Sequence, residues 1–542
     1  YNLKEMLKEP DRDLFMRAME REVDSMFKEE IWKLVPKDEM LQHYTNERKN
    51  GKDIKREKIM MIWSFKRKRH PDGTLNKHKA RLCCHGGQQQ WGVNYWDTYA
   101  PVVSWSSVRI LLTIAKLHNL HTKSIDFVQA YPQATLKSNI YLHPPAGVLL
   151  TDGNGNVLKL MRDLYGLKDA GKTWFEHLTE GLNVMGFKPL SSDPCIYVKG
   201  TNMIILYVDD CIIISRNENE ANAIFQELDK RGYKLTDEGT MEEYLGILIT
   251  HENNGNYRMS QPLLIDRIIK SVPSMKGAKG AKTPAAAGNV LTKDIEGEIR
   301  KEHWNYRSVI GMLNFLVNCT HPEMAFAVHQ CARFCHDPKY SHEQAVKRII
   351  RYLISTTQGS RNQGIMFTPD KSKSMDVYVD ASFAGEWNTE WSDEASSVMS
   401  RTGYIIFYAN CPVIWCSKLQ TEIALSTTES EYIALSQSLR DALPLTELLK
   451  EIRQIIPSDE KRPEVHCSIF EDNKGCIDLV EAPRMRPRTK HIALKYHHFR
   501  SSVKNKLVSI RYVETGEQIA DIFTKALNDG QFYKLRQLLN GW

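Results

Sequence analysis

Two adjacent carboxylates, Asp209 and Asp210, interrupt an otherwise apolar run from Met203 to Ser215. An ionised carboxylate is costly to bury without a partner, so a pair of them between two β-rich segments calls for cations or solvent. The run reads as a β-hairpin, with segments 204–207 and 212–215 joined by a tight Asp-Asp turn. Asp126 ends a short strand predicted over 123–127 and supplies a third acid. One acid at a strand end and two at a hairpin tip are what two-metal phosphoryl transfer requires. One metal activates a hydroxyl, and the other clamps a triphosphate and the leaving oxygen. Oxygen ligands and retained waters suit Mg²⁺. A second set of acids lies downstream. Asp380 and Asp472 end predicted strands, Glu431 (with Glu429 as its competitor) opens a long helix, and Asp521 lies near the start of the last helix. Singly, each has an ordinary explanation as a solvated turn residue or a first-turn helix acid. As an ordered quartet they can converge on a two-metal hydrolytic site, one metal activating water and the other stabilising a leaving 3′ oxygen.

The elements that must carry these acids follow from periodicity. Met16, Met19, Val23, Met26 and Phe27 recur at helical spacing in a region that Pro36 ends. Residues 58–85 read as a hairpin turning through Pro71-Asp72-Gly73. Helices are predicted near 108–117, 178–185 and 221–231, on either side of the short strand and the acidic hairpin. The order describes an α+β unit. Residues 274–288, rich in Lys, Gly and Ala, read as a mobile linker. A helix over 344–353 places Lys347 and Arg351 one turn apart on a basic face suited to nucleic acid. From Met375 onward the pattern becomes β-β-β-α-β-α-β-α, the order of a separate α/β domain.

Length and composition set bounds. The 542 residues are 42% hydrophobic and 26% charged, ordinary for three or four globular domains. No apolar run reaches the roughly 18 residues of a membrane span, so no membrane partner is expected. Eleven cysteines without zinc-like pairs read as reduced thiols of an intracellular protein. The first residue, Tyr1, suggests a piece processed from a longer polypeptide. Net charge is only +7, but thirteen Lys and Arg against three acids fall between Arg48 and Arg81. A further eight fall between Arg484 and Lys506 with no acid. Such concentration fits neutralisation of a phosphate backbone.

Several motifs then occur in a telling order: Asp72-Gly73, Lys79-Ala-Arg-Leu82, Asp97-Thr-Tyr-Ala-Pro-Val102, Asp126-Phe-Val-Gln-Ala-Tyr131, Leu164-Tyr-Gly-Leu-Lys168, Trp174, Tyr207-Val-Asp-Asp210 and Tyr244-Leu-Gly-Ile247. In this series the chain resembles the reverse transcriptase and ribonuclease H region of a copia-type (Pseudoviridae-like) LTR retrotransposon Pol polyprotein, over nearly its whole length. The resemblance implies an α+β polymerase right hand of fingers, palm and thumb. An α/β ribonuclease H-like domain with a mixed five-stranded sheet follows it. The divisions expected are 1–255 for fingers and palm, 256–370 for a mostly helical thumb or connection with a flexible 274–288 segment, and 371–542 for ribonuclease H.

It also implies roles. Asp126, Asp209 and Asp210 would bind two Mg²⁺ at the polymerase site. Asp380, Glu431, Asp472 and Asp521 would bind two more at the ribonuclease H site, with Mn²⁺ as a substitute. Glu431 is preferred to Glu429 because the family pattern runs Glu-x-x-Ala into the helix. Lys79 and Arg81 would contact the triphosphate, and Phe127 would join them as a substrate contact. Tyr131 would lie under the sugar and exclude a 2′-hydroxyl. Gly166 and Lys168 would line the nucleotide pocket and template path, and Tyr244 and Gly246 would belong to the primer grip. The implied activity is RNA- and DNA-directed DNA synthesis with cleavage of RNA in hybrids. The implied partners are an RNA template, a DNA primer, the RNA/DNA hybrid and dNTPs, with a homodimer left open. The implied place is the cytoplasm, within virus-like particles.

The chain departs from the family pattern at Asp169-Ala-Gly-Lys172, at Pro132-Gln-Ala-Thr135 and at Cys83-Cys84. None is a metal ligand; they bear on fidelity and template handling. Retroviral ribonucleases H carry a histidine shortly before the last carboxylate, and Val513-Glu-Thr-Gly516 has none. His491, His497 and His498 read as nucleic-acid or structural residues. The competing reading is a domesticated, non-enzymatic nucleic-acid-binding protein that keeps the fold. The presence of all seven acids favours the enzyme.

Overall fold

The computed structural model describes residues 2–69, 74–148, 155–252, 256–288, 290–357, 364–385, 387, 395–456, 465–482 and 494–542. The expected turn at Pro71–Gly73 and His491 lie outside them. The chain divides into two compact units, Tyr1–Val103 with Thr122–Pro189 and Pro194–Thr240, and Ser104–His121 with Leu190–Asp193 and Met241–Trp542. All eleven cysteines are free thiols. Among the described residues no helix is long and apolar enough to cross a membrane.

The first unit is built on a six-stranded sheet in the order Leu235–Thr240, His121–Phe127, Asp210–Ser215, Asn202–Tyr207, Ile196–Lys199, Lys188–Pro189. Met203, Ile204 and Ile205 pair with Ile214, Ile213 and Ile212 and are all fully buried. That explains the unbroken apolar run, because a strand covered on both faces has no polar side to show. Helices Ala170–Val184 and Glu218–Lys230 cover one face with Trp174, Leu178, Leu182, Ala221, Ile224 and Leu228, the i, i+4 stripes of amphipathic helices. The hairpin itself differs from its expected form. Its turn is Val208-Asp209, and Asp210 already opens the return strand opposite Tyr207. Val208 takes a φ of 59°, left-handed backbone that a two-residue hairpin turn demands and a β-branched residue resists.

A second hairpin, Met61–Arg69 with Leu75–Cys84, turns Trp63, Phe65, Ala80, Leu82 and Cys84 inward. Helix Arg12–Lys28 packs on it through Phe15, 5.5 Å from Phe65. Asp11 fixes that contact, accepting from Arg67 at 2.6 and 2.7 Å. The expected end of the helical region at Pro36 is instead a beginning, since Pro36 is the N-cap of helix Lys37–Lys49, which buries Met40 and Tyr44. Proline is well tolerated at a helix start, where no intrahelical N–H is needed.

The second unit contains a four-stranded sheet (Glu243–Tyr244, Ile247–His251, Tyr257–Ser260, Ile365–Phe367) and helices Pro262–Ser271, Tyr306–Cys319, Ala325–Ala332 and Tyr340–Thr357. Helix Trp105–Leu117 also belongs here. Its fully buried Arg109 donates to the carbonyls of Val413, Asn318 and Cys319 at 2.8, 2.6 and 3.2 Å and lies 4.1 Å from the Trp415 ring centre. The segment expected as a mobile linker is laid along helix Tyr340–Thr357: Ala281 N–H donates to Arg351 O at 3.0 Å and Arg351 Nε to Lys279 O at 2.8 Å. Lys347, expected on an open basic face, is instead paired within the protein. Its ammonium is held between Glu302 and Glu343, each at 2.6 Å. A basic helical stripe cannot by itself tell solvent from a neighbouring acidic segment.

The expected mixed five-stranded sheet is present in the order Cys411–Leu419, Arg401–Tyr408, Met375–Ser382, Cys467–Glu471, Val508–Tyr512. The first three strands are antiparallel, and the last two join in parallel. Helix Thr427–Ile455 lies against its two central antiparallel strands. The expected last helix is two: a short turn Asp521–Thr524 and a separate helix Asp529–Asn540.

Candidate active sites

In the first unit, the strand ending in Asp126 and the hairpin tip are neighbours. The N–H of Phe127 donates to the carbonyl of Asp209 at 3.0 Å. Asp126 is half-buried, and its carboxyl is pushed up first by burial, then by Asp209 and by Glu238, with Lys68 and Lys79 opposing. Glu238 was not singled out from the sequence. It occupies a bulge where the strand Leu235–Thr240 shifts register against Ser124 and Ile125, a bulge signalled only by Gly239. Among the described residues, Asp126, Asp209 and Asp210 do not form as tight a set of ligand atoms as the second site does.

Around these acids stand aromatic and basic walls. Tyr131 lies against Tyr165, ring centres 4.9 Å apart, and the guanidinium of Arg81 sits 3.9 Å above the Tyr165 ring. Burial, then Asp209, raises the Tyr131 phenol, and burial raises Tyr165 to about 12. Tyr165 is thus a site residue missed from the sequence, although it lies within the Leu164–Lys168 motif. Lys79 shares the strand face of Arg81, and burial followed by Arg81 lowers its ammonium. Behind both lies Glu22, itself raised by burial, with one oxygen accepting the Leu82 N–H at 3.3 Å.

Other expected contacts have different work. Phe127 is buried against Trp174 at 5.2 Å and Tyr233 at 5.9 Å, so its side chain is core and only its backbone serves the site. Gly166 has φ +90°, and a Cβ there would stand 2.2 Å from Cys84 O. The glycine lets the pocket motif close on the hairpin, where Cys84 N–H donates to Tyr165 O at 2.7 Å. Lys168 Nζ donates to Tyr95 Oη at 3.1 Å, and the departing residue Lys172 pairs with Asp97 at 2.5 Å. Gln133, another departure, donates to Val128 O and Lys234 O at 2.8 and 2.9 Å and braces the turn after Asp126. Tyr244 is buried and Gly246 sits in a left-handed turn, both within the second unit.

The second site lies wholly in the second unit. Asp380, Glu431 and Asp472 each offer an oxygen, and these lie within 4.8 Å of one another. Asp521 stands beside them: after burial, Asp380 is the largest influence on its carboxyl, and its Oδ1 lies 2.8 Å from Lys525 Nζ. Glu429 does not. It caps its own helix, its carboxylate accepting the Leu425 N–H at 2.8 Å while its N–H donates to Ser426 Oγ at 3.1 Å. Gln518 ties two strand ends, donating to Val379 O at 2.8 Å and Phe470 O at 3.3 Å. Gly403, paired with Asp380, admits the turn carrying Asp521, because a Cβ there would meet Thr524 Cγ2 at 2.5 Å.

The electrostatics are those of crowded, buried acids. Burial raises Asp380, and burial raises Glu431 and Glu471 far above the carboxylate range. After burial, Glu471 is the largest influence on Glu431. Asp521 is pushed to about 7, by burial and then Asp380. Glu471 is a fifth, unforeseen acid. One oxygen accepts Asn473 N–H at 3.0 Å, while Glu471 Oε2 and Glu431 Oε2 are buried without a hydrogen-bond partner. An all-oxygen donor set with orphaned buried carboxylate atoms fits hard divalent cations. His497 and His498 are turned to the long helix, at 2.7 Å from Tyr432 Oη and 3.2 Å from Ser436 O.

Residues 48–287 match the model of the family described as reverse transcriptase (RNA-dependent DNA polymerase). Over 549 residues, covering 99% of this chain, it is 30% identical to the retrovirus-related Pol polyprotein from transposon TNT 1-94 of Nicotiana tabacum. The chain contains a reverse transcriptase-family domain and is homologous to copia-type Pol polyproteins. A second such relative, the Pol polyprotein from transposon RE1 of Arabidopsis thaliana, is 31% identical over 87% of this chain. The chain spans 38% and 31% of the lengths of these two Pol polyproteins. In fold it is similar to the foamy viral protease-reverse transcriptase solved in complex with dsDNA (TM-score 0.50, 12% identity), covering 92% of this chain and 83% of that one. The reverse transcriptase-family domain therefore includes all of Lys79, Arg81, Asp126, Tyr131, Gly166, Lys168, Asp209, Asp210, Tyr244 and Gly246.

Proposed function

We propose that this chain is a polymerase and nuclease in one. It copies RNA and DNA into DNA at Asp126, Asp209 and Asp210, and it cleaves the RNA strand of the resulting hybrid at Asp380, Glu431, Asp472 and Asp521. The observation that carries the reading is the convergence of the second carboxylate set on a mixed five-stranded sheet, in a chain that also bears a reverse transcriptase-family domain. The sheet order places three antiparallel strands beside two parallel ones, as in ribonuclease H-like domains. On this reading 1–255 serve as fingers and palm, 256–370 as thumb and connection, and 371–542 as ribonuclease H. The partners on this reading are an RNA template, a DNA primer, the hybrid and dNTPs; the foamy viral structure similar in fold was solved in complex with dsDNA.

Divalent metal, when bound, supplies charge neutralisation and acidifies the attacking hydroxyl or water. The protein does the rest. Asp126 and Asp209, fixed by the Phe127 N–H, set the reacting end of the primer. Arg81 and Lys79 neutralise the triphosphate, and Arg81 is aimed by stacking on Tyr165. Tyr131, propped by Tyr165, occupies the space a 2′-hydroxyl needs. In the second site Gln518 and Gly403 fix the spacing of the acids, and Lys525 balances part of their charge.

The test is separation of function. Wild-type protein should extend a primer on an RNA template and cleave a hybrid, both dependent on Mg²⁺. Asp209→Asn should abolish the first only, and Glu431→Gln the second only. Binding of nucleic acid with neither activity would replace this reading by the non-enzymatic one.

A further inference from the structure

Three large aromatic side chains stand in solvent within nine residues of the first unit. Trp91 is 69% exposed, Trp96 51% and Tyr99 75%. Exposed rings this close together are uncommon on a soluble protein and mark a surface that meets a partner. Their surroundings say which kind.

The loop that carries them is stitched to a basic segment. Gln88 Oε1 accepts the Met60 N–H at 2.8 Å, and Gln90 accepts the Lys55 N–H at 3.1 Å while donating to Asp53 O. Residues 48–58 hold six Lys and Arg against two acids. Glu57 pairs with Arg48 at 2.7 Å. Lys49, Lys55 and Arg56 are exposed and make no ion pair among the described residues. Lys52 lies 5.6 Å from the Trp96 ring centre. On its other side the loop is joined to the pocket motif. Lys168 N–H donates to Gln89 Oε1 at 2.6 Å, its ammonium lies 4.3 Å from the Tyr95 ring centre, and Lys172 pairs with Asp97. The aromatic loop therefore joins the pocket motif to an outer basic segment.

π-faces interleaved with cations are the recognition chemistry of single-stranded nucleic acid: bases stack on rings of any sequence while the phosphates meet the cations. We propose that Trp91, Trp96 and Tyr99 form a stacking platform for the unpaired template strand ahead of the primer end. Arg56, Lys55 and Lys49 track its backbone. The inference rests on the proposed polymerase reading, since it is the pocket motif that gives the strand its direction. It also accounts for Asp97 and Lys172, whose ion pair holds the loop by its base.

The experiment uses the full chain and fluorescein-labelled DNA, comparing a blunt duplex with the same duplex carrying a 5′ template overhang of about six nucleotides. Anisotropy should show tighter binding of the overhang duplex by the wild type. Trp96→Ala and Tyr99→Ala should each weaken overhang binding by about five- to a hundredfold, the range for one lost base–ring stack. Blunt-duplex binding should be unchanged, and Trp96→Phe should restore the overhang preference. No overhang preference in the wild type overturns the proposal. So do variants that bind the overhang as the wild type does, or that lose both duplexes equally. Absence of primer extension by a wild type that still prefers the overhang would count against the polymerase reading and not against the platform.

Discussion

The indole Nε1–H of Trp174 donates to the carbonyl oxygen of Val208 at 2.7 Å. Val208 is the left-handed residue of the turn that presents Asp209 and Asp210, so a helix on the face of the sheet holds the hairpin tip in a conformation valine resists. Trp174→Phe keeps the packing against Phe127 and removes that bond. A loss of about 0.5–1.5 kcal/mol in chemical unfolding is expected. Primer extension should slow while hybrid cleavage is unaffected. Val208→Gly in the same background should recover part of the rate, because glycine adopts the turn without the steric penalty.

Tyr131 is braced by Tyr165 and faces Asp209. Tyr131→Ala opens the space proposed for excluding a 2′-hydroxyl. Discrimination between deoxy- and ribonucleotides should fall by roughly tenfold or more, on the scale of a lost steric contact in a pocket. Single-nucleotide incorporation with dNTP and rNTP in parallel measures it. Equal loss for both would assign Tyr131 to structure alone.

The second carboxylate set makes stability depend on pH and on metal. Asp521 rises from the ordinary aspartate range to about 7; burial and then Glu471 raise Glu431, and burial raises Glu471 with Asp380 adding to it. The folded state thus holds protons that the unfolded chain has already released. Stability is fullest below the unfolded carboxylate range and falls as pH rises toward and through 7. With chelator present, the Tm should be higher at pH 5 than at pH 8. Added Mg²⁺ should raise the Tm most at pH 8, and Glu431→Gln should shrink both effects. A Tm indifferent to Mg²⁺ at pH 8 would argue against metal at these acids.

Gly403 allows the turn Asp521–Thr524 to approach Asp380. Gly403→Ala would set a methyl 2.5 Å from Thr524 Cγ2 and 2.8 Å from Phe523 Cβ. Overpacking of this kind costs about 1–3 kcal/mol. Hybrid cleavage should drop sharply while primer extension persists, because the displaced turn carries only Asp521 of the seven acids.

Much of this was legible in the residues. The Met203–Ser215 run read as a strand pair with its two acids at the turn, as the structure has it to within one residue. The β-β-β-α-β-α-β-α order after Met375, with the resemblance it carried, anticipated the mixed five-stranded sheet. Other features had no local signal. The Val208-Asp209 turn could not be told from an Asp-Asp turn, since a one-residue shift changes register without changing composition. Pro36 could end a helix or begin one. Lys347 carried the signature of a solvated basic stripe until Glu302, 45 residues away, was found to hold it.

The sequence by itself determined which side chains can do chemistry, their order, and the strands and helices that carry them, because periodicity and turn residues act over a few residues. Only the tertiary structure decided which of them meet. It chose Glu431 over Glu429, brought Glu471 beneath the quartet, buried Phe127, placed Tyr165 under Arg81, and assigned Gly166 to a backbone contact with Cys84. Those outcomes depend on which faces pack across tens to hundreds of residues. Packing is settled by the burial of whole surfaces, and no single stretch of the chain records it.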